Sequence, residues 1–182
     1  MGDPMKIETL CWLLPVIFML HDFEEIIMLR PWFAQNEALL RVRFPRVAAR
    51  LLPHFKRLST SSFALAVAEE FLVMSVIAII TVELELYALW SAVVLAFLLH
   101  LLFHMGQYLM YRRYIPVIFL SVPAAIFCGW AVFQLNQFRP LVWSDVLLLT
   151  PLAVIALMGN LLIAHGLALR FERFLRENYV SR

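Results

Sequence analysis

Charge is scarce in this 182-residue chain. Only 15% of its residues are Asp, Glu, Lys or Arg, while 63% are apolar; ordinary soluble domains carry about 25% charged residues. So little polar surface cannot cover a water-soluble globule, which argues against a soluble enzyme, a nucleic-acid binder or a disordered chain. Cysteine is scarce too. Cys11 and Cys128 both lie in apolar runs and form no CxxC pair, so neither a disulfide framework nor a thiolate metal knuckle is expected. No low-complexity segment or second domain stands out. Basic residues are missing from three long stretches, 7–29, 58–111 and 140–169.

What is there instead is a set of long apolar runs, at about 9–29, 61–82, 86–110, 115–135 and 146–168. Each is long enough to cross about 30 Å of hydrocarbon as a helix rising about 1.5 Å per residue. The runs are continuous and do not alternate, and open strands leave unpaired backbone in lipid, so helices are expected. The fold class is therefore all-α, a polytopic membrane bundle of about five transmembrane helices in one domain spanning 1–182. The first run leads into His21-Asp22-Phe23-Glu24-Glu25 and not into a small-residue cleavage site, so it reads as a retained span.

Thirteen of the fifteen bases fall in the segment 30–60, the 112–113 pair and the tail 169–182. Lys6 and Arg139 lie on the opposite side, with Asp3, Glu8, Glu83, Glu85 and Asp145. By the positive-inside rule the N-terminus is outside and the C-terminus cytoplasmic. The basic segment 30–60 reads as a cytoplasmic interfacial loop and 169–182 as an amphipathic tail, both contacting lipid headgroups.

Against this background the polar residues inside the runs are conspicuous. Glu24 and Glu25 lie in the first, Glu69 and Glu70 in the second, His21 in the first, His100 and His104 in the third, and His165 in the fifth. An ionised carboxylate in a span costs about 2.5–3.5 kcal/mol on insertion scales. No Lys or Arg shares those runs, so the offset must come from protonation, from histidinium or from a bound cation. Counted inward from the nearest cytoplasmic bases, these groups sit roughly 8–19 Å deep, in one layer of the inner half-membrane.

The spacings suit metal ligation. Glu24 and Glu25 follow His21 at i+3 and i+4, on one helix face. His100 and His104 stand at i and i+4, which lets two imidazoles hold one ion. Imidazoles and carboxylates on facing helices are the ligand set of dinuclear bundle sites, and two divalent cations would neutralise four carboxylates. The expected metal set is His21, Glu24, Glu25, Glu69, Glu70, His100, His104 and His165, holding a divalent metal, as two ions of iron, manganese or zinc. A free glutamate, Glu24 or Glu70, is the expected acid–base catalyst. Asp22 points about 100° from His21 and reads as an outer partner or headgroup contact. His54, in the basic segment, reads as interfacial. Gln107, Tyr108, Tyr111 and Asn160 could donate to the carboxylates or to substrate, and Pro15, Pro123 and Pro151 are kink positions.

The run His21-Asp22-Phe23-Glu24-Glu25 has the H-x-x-E-E pattern, and the chain resembles the HXXEE family of small bacterial membrane proteins. That family carries a further histidine, to which His100 or His104 corresponds, and a Y-x-P-G motif. Tyr114-Ile115-Pro116-Val117 is similar to the latter, with valine in place of glycine. The resemblance implies a bacterial, inner-membrane protein in which His21, Glu24 and Glu25 matter, and it implies no particular reaction.

Three functions follow from the residues. The first is a membrane-embedded metalloenzyme acting on a lipid or other apolar substrate, with oxidative chemistry slightly ahead of hydrolysis. The second is a small proton-coupled ion or metal transporter using the same layer. The third is a structural or accessory subunit, which leaves the cost of the carboxylates unexplained. Membrane lipids are the expected partners and nucleic acid is not.

Overall fold

The computed structural model describes residues 6–180; Asp3 and Arg182 lie outside the described residues. It is all-helical, with no strand among the described residues. The helices are α1 (Ile7–Arg43), α2 (Pro45–Arg57), α3 (Thr60–Leu84), α4 (Tyr87–Tyr111), α5 (Ile118–Phe138) and α6 (Trp143–Leu175), which ends in a π turn over Arg176–Val180. Four segments, Thr60–Leu84, Tyr87–Tyr111, Ile118–Phe138 and Trp143–Tyr179, are long and apolar enough to cross a membrane.

The segment 30–60 is not a loop. α1 continues to Arg43 through a stretch rich in Ala, Leu, Glu and Arg, good helix formers that outweigh Pro31. A new helix starts with Pro45 in its first turn, where proline's fixed φ and missing N–H cost nothing. α2 is two-sided. Ala48 and Leu52 are buried in a cluster with Leu40, Tyr111, Ile115 and Ile118, while Arg46 and Arg50 face outward. Glu37 fastens the pair, taking Lys56 Nζ at 2.7 Å and Arg41 at 2.8 Å. Pro15, Pro123 and Pro151 are all accommodated within helices.

α1 packs on α3 and α5, α4 on α5 and α6, and α3 on α6, which closes a ring in the order α1–α3–α6–α4–α5. α1 and α4 are not neighbours in that ring. They face each other across its middle through long side chains. Trp90 Nε1 reaches the Cys11 carbonyl at 3.4 Å, Phe18 meets Phe97, and His21 meets His100. All three pairs are 79 residues apart, so the two helices run parallel and in register. Leu10, Leu14, Phe18, Trp90, Val94 and Phe97 fill this half of the interior.

Two helix N-termini are capped by carboxylates from other helices. Glu172 of α6 accepts Ser59 N–H at 2.8 Å and Ser62 Oγ–H at 2.7 Å at the start of α3. Glu24 does the same for α5, as described below. A helix start leaves four backbone N–H groups without partners and carries partial positive charge, so a carboxylate is a suitable partner there.

Candidate metal centre

At 100° per residue, one turn of α1 can address three neighbours. Setting His21 at 0° toward α4, Asp22 falls at about 100°, Glu25 at about 40° and Glu24 at about −60°. α3 and α5 flank α1 on its two sides, which explains why adjacent residues His21 and Asp22 are both buried, at 0% and 3% exposure.

His21 meets the α4 pair at the ring's centre. Its ring centroid lies 5.8 Å from that of His100 and 5.6 Å from that of His104. The His100 and His104 Nε2 atoms stand 2.9 Å apart. One nitrogen from each of the three imidazoles fits within a mutual span of 4.8 Å. Two nitrogens bound to one zinc-sized ion at about 2.1 Å can be at most about 4.2 Å apart, so small side-chain rotations close the set.

Three further observations favour ligation. Both ring nitrogens of the fully buried His21 lack a hydrogen-bond partner among the described residues. Such orphaned polar atoms are costly, and a metal would satisfy one of them. His104 Nδ1–H donates to Gln107 Oε1 at 2.9 Å. That bond leaves the lone pair on Nε2, where it faces His100 Nε2, and an outer partner commonly orients a metal-bound imidazole in this way. Phe97 closes one side, edge-on to His21 at 5.8 Å and stacked on His100 at 6.3 Å.

The other expected ligands are distributed elsewhere. Glu24 faces α5 and not the histidines. Its Oε1 accepts Tyr114 Oη–H at 3.0 Å and the Phe119 N–H at 3.4 Å, and its Oε2 accepts the Leu120 N–H at 2.9 Å. Both oxygens are engaged in capping α5. Tyr114 is held in turn by its own carbonyl, which accepts Trp32 Nε1–H at 2.7 Å. Val117, where the motif has glycine, is the N-cap of α5 and has φ 80°. The left-handed conformation explains the glycine of the pattern; here a β-branched residue carries the strain.

Glu69 takes a hydrogen bond from Asn160 Nδ2 at 3.0 Å. Glu70 lies within electrostatic reach of Glu25 and Glu69. His165 is brought to His54 and not to the trio, with Nδ1 3.0 Å from His54 Nε2. α6, like α4, stands across the ring from α1, but it turns His165 toward α2. The same contact makes His54 a packed partner beside Phe55 and His165. Asp22 is buried beside His21, and Gln107 partners His104. The i+3 offset of Gln107 from His104 was the available signal for the latter. Tyr111 donates to Asn36 at 2.7 Å and takes no part in the centre.

The profile of a family described as "Protein of unknown function with HXXEE motif" matches residues 12–132, which include His21, Glu24, Glu25, His100, His104 and Tyr114–Val117 but not His165. No curated protein and no solved structure matches the chain. With the motif in place on α1 and two thirds of the sequence covered by the match, the chain belongs to the HXXEE family.

Proposed function

We propose that this protein is a membrane-embedded metalloenzyme whose centre is built on His21, His100 and His104 and whose substrate is a lipid or another apolar molecule. The observation that carries the reading is the convergence of three imidazoles at the bundle axis, one with both nitrogens orphaned and one with its tautomer set by Gln107. Three protein ligands with a further position open is the pattern of catalytic metal sites; structural sites are closed by four. Iron, manganese and zinc all accept imidazole with oxygen donors. A divalent ion there would act as a Lewis acid or activate water, with iron extending the chemistry to oxidation. Glu70 is the carboxylate retained as acid–base group, since Glu24 is engaged as a cap.

The apolar substrate class is supported by a groove of about 420 Å³ between α3, α4 and α6. Val73, Ile77, Leu89, Val93 and Leu157 line it, and its polar residue Asn160 holds Glu69. In this proposal α1 is a fifth crossing, supported by its place in the ring and its parallel register with α4. The orientation is N-terminus outside and C-terminus cytoplasmic, which puts the centre in the inner half of a bacterial inner membrane. The transporter alternative needs a polar route beyond the histidines, and there the axis is filled by Leu14, Phe18, Trp90 and Phe97.

The test is metal content of protein purified without chelator. Wild type is expected to carry stoichiometric divalent metal and His104→Ala to lose it at unchanged helicity. Metal-free wild type overturns the proposal.

A further inference from the structure

The basic side of the bundle holds a cavity in which none of the three histidines takes part. It measures about 330 Å³ and lies where α1, α2 and the first turn of α3 meet. Thr60 opens a helix long and apolar enough to cross a membrane, so the cavity sits where hydrocarbon gives way to water. Its wall is largely apolar, with the nearly buried Leu29 and Phe63 and the stacked pair Phe33 and Phe55, whose ring centroids lie 5.0 Å apart. Its polar lining includes Arg30, Glu37, Lys56 and Thr60. Glu37 is already matched by Lys56 at 2.7 Å and by Arg41 at 2.8 Å. Arg30 is exposed and has no acidic or hydrogen-bonding partner among the described residues, and neither has the Thr60 hydroxyl. The lining therefore carries an uncompensated positive charge. Over residues 30–57 the only acid is Glu37, against seven bases.

We infer that this cavity binds an anionic phospholipid of the adjoining leaflet, with the lipid phosphate on Arg30 and Thr60 and the glycerol end of its chains against Leu29, Phe33, Phe55 and Phe63. Nothing in this site depends on a metal at the histidines. Charge and shape together select the occupant. A free phosphate would pair with Arg30 but leave the aromatic wall in water. A neutral apolar molecule would cover the wall and cut the guanidinium off from water without a partner, which is costly. The ammonium of a zwitterionic headgroup would find Glu37 already shared by two bases. A lipid with net negative charge satisfies the wall and the arginine at once. Arginine suits this place because its planar donor fork takes phosphate oxygens in pairs. Ligand sites run to about 300–1,000 Å³, so about 330 Å³ takes a headgroup and glycerol while the chains continue into the bilayer. Basic pockets between membrane helices hold anionic headgroups in this way. Such a lipid touches α1, α2 and α3 together and so holds α2 against the bundle.

The experiment is lipid binding to full-length, delipidated protein in detergent. Dioleoylphosphatidylglycerol, dioleoylphosphatidylcholine and inorganic phosphate are titrated separately. Bound lipids are counted by native mass spectrometry, and melting is followed by tryptophan fluorescence. Wild type is expected to hold one phosphatidylglycerol per chain, at least about fivefold more tightly than phosphatidylcholine, and to melt higher with it; that ratio is what one basic residue contributes at an anionic surface. Arg30→Gln is expected to lose the preference. Arg46→Gln removes the same charge from the outward face of α2 and is expected to keep it. Both residues are exposed, so both variants are expected to fold as wild type does. Equal affinity for the two lipids overturns the site, as does a preference that survives Arg30→Gln or falls equally in Arg46→Gln. The same rise in melting temperature with inorganic phosphate alone overturns the lipid as its occupant.

Discussion

Replacing Glu24 separates a ligand from a cap. If Glu24 bound the metal, Glu24→Gln would empty the site, because an amide is a far poorer ligand than a carboxylate. In the structure its oxygens hold the start of α5 through Leu120 N–H at 2.9 Å and Tyr114 Oη at 3.0 Å, with Phe119 N–H a weaker third at 3.4 Å. A hydrogen bond to a charged group contributes about 1.5–3 kcal/mol. Glutamine keeps one acceptor and turns an N–H₂ toward the other donor, so the cost is about one such bond, roughly 2 kcal/mol. At about 2–4 °C per kcal/mol for a chain of this size, melting falls by about 4–8 °C. Glu24→Ala removes every acceptor and costs roughly 3–5 kcal/mol. Tyr114→Phe is expected to destabilise wild type more than Glu24→Gln, since the two share a bond. The assay is tryptophan-fluorescence melting in detergent, paired with metal analysis of the same samples. The expected result is a lowered melting temperature with metal content retained. A Glu24→Gln protein that melts like wild type but is purified without metal would refute the capping argument.

Two other substitutions probe the fold. Val117 sits at φ 80°, which costs a non-glycine residue about 1–2 kcal/mol, so relief of strain offsets much of the lost side-chain burial in Val117→Gly. Its cost is expected to stay within about 1–2 kcal/mol, whereas Val94→Gly, fully buried in the middle of α4, costs about 3 kcal/mol or more; equal losses in thermal melts would contradict this. Burial on α2 holds the His54 imidazole below its ordinary value of 6.5, and Arg57 adds to this. The unfolded chain therefore binds the extra proton more readily. This contribution to stability is complete above pH 6.5 and is lost as pH falls below it. The melting difference between pH 7.5 and 5.5 is expected to shrink in His54→Gln, and an unchanged difference would assign the acid sensitivity to other groups.

Much was legible without coordinates because it depends on composition and on positions along single helices. Long runs without Lys or Arg dictate apolar helices, since nothing else satisfies the backbone in hydrocarbon. The i, i+4 spacing of His100 and His104 puts both on one face of α4 whatever surrounds it. Depth is likewise a one-dimensional quantity, which is why His21, His100 and His104 were placed in one layer. The helical continuation of α1 to Arg43 was missed because Pro31 and the density of arginines resemble a loop boundary, although Ala, Leu and Glu there favour helix.

What the sequence by itself determined was the helical class, the absence of bases from the long apolar runs and the shared face of His100 and His104 on one helix. The tertiary structure decided which neighbour each acid and histidine addresses. In the ring α1–α3–α6–α4–α5 both α4 and α6 stand across from α1, and packing turns α4 toward it, so His21 joins His100 and His104 while His165, on α6, turns to His54. The ring also sets α5 and α3 on the two flanks of α1, so Glu24 caps one helix and Asp22 faces the other. A helix fixes the angle between its own side chains through its 3.6-residue turn, but the helix that receives each side chain is fixed by long-range packing, which no local spacing encodes.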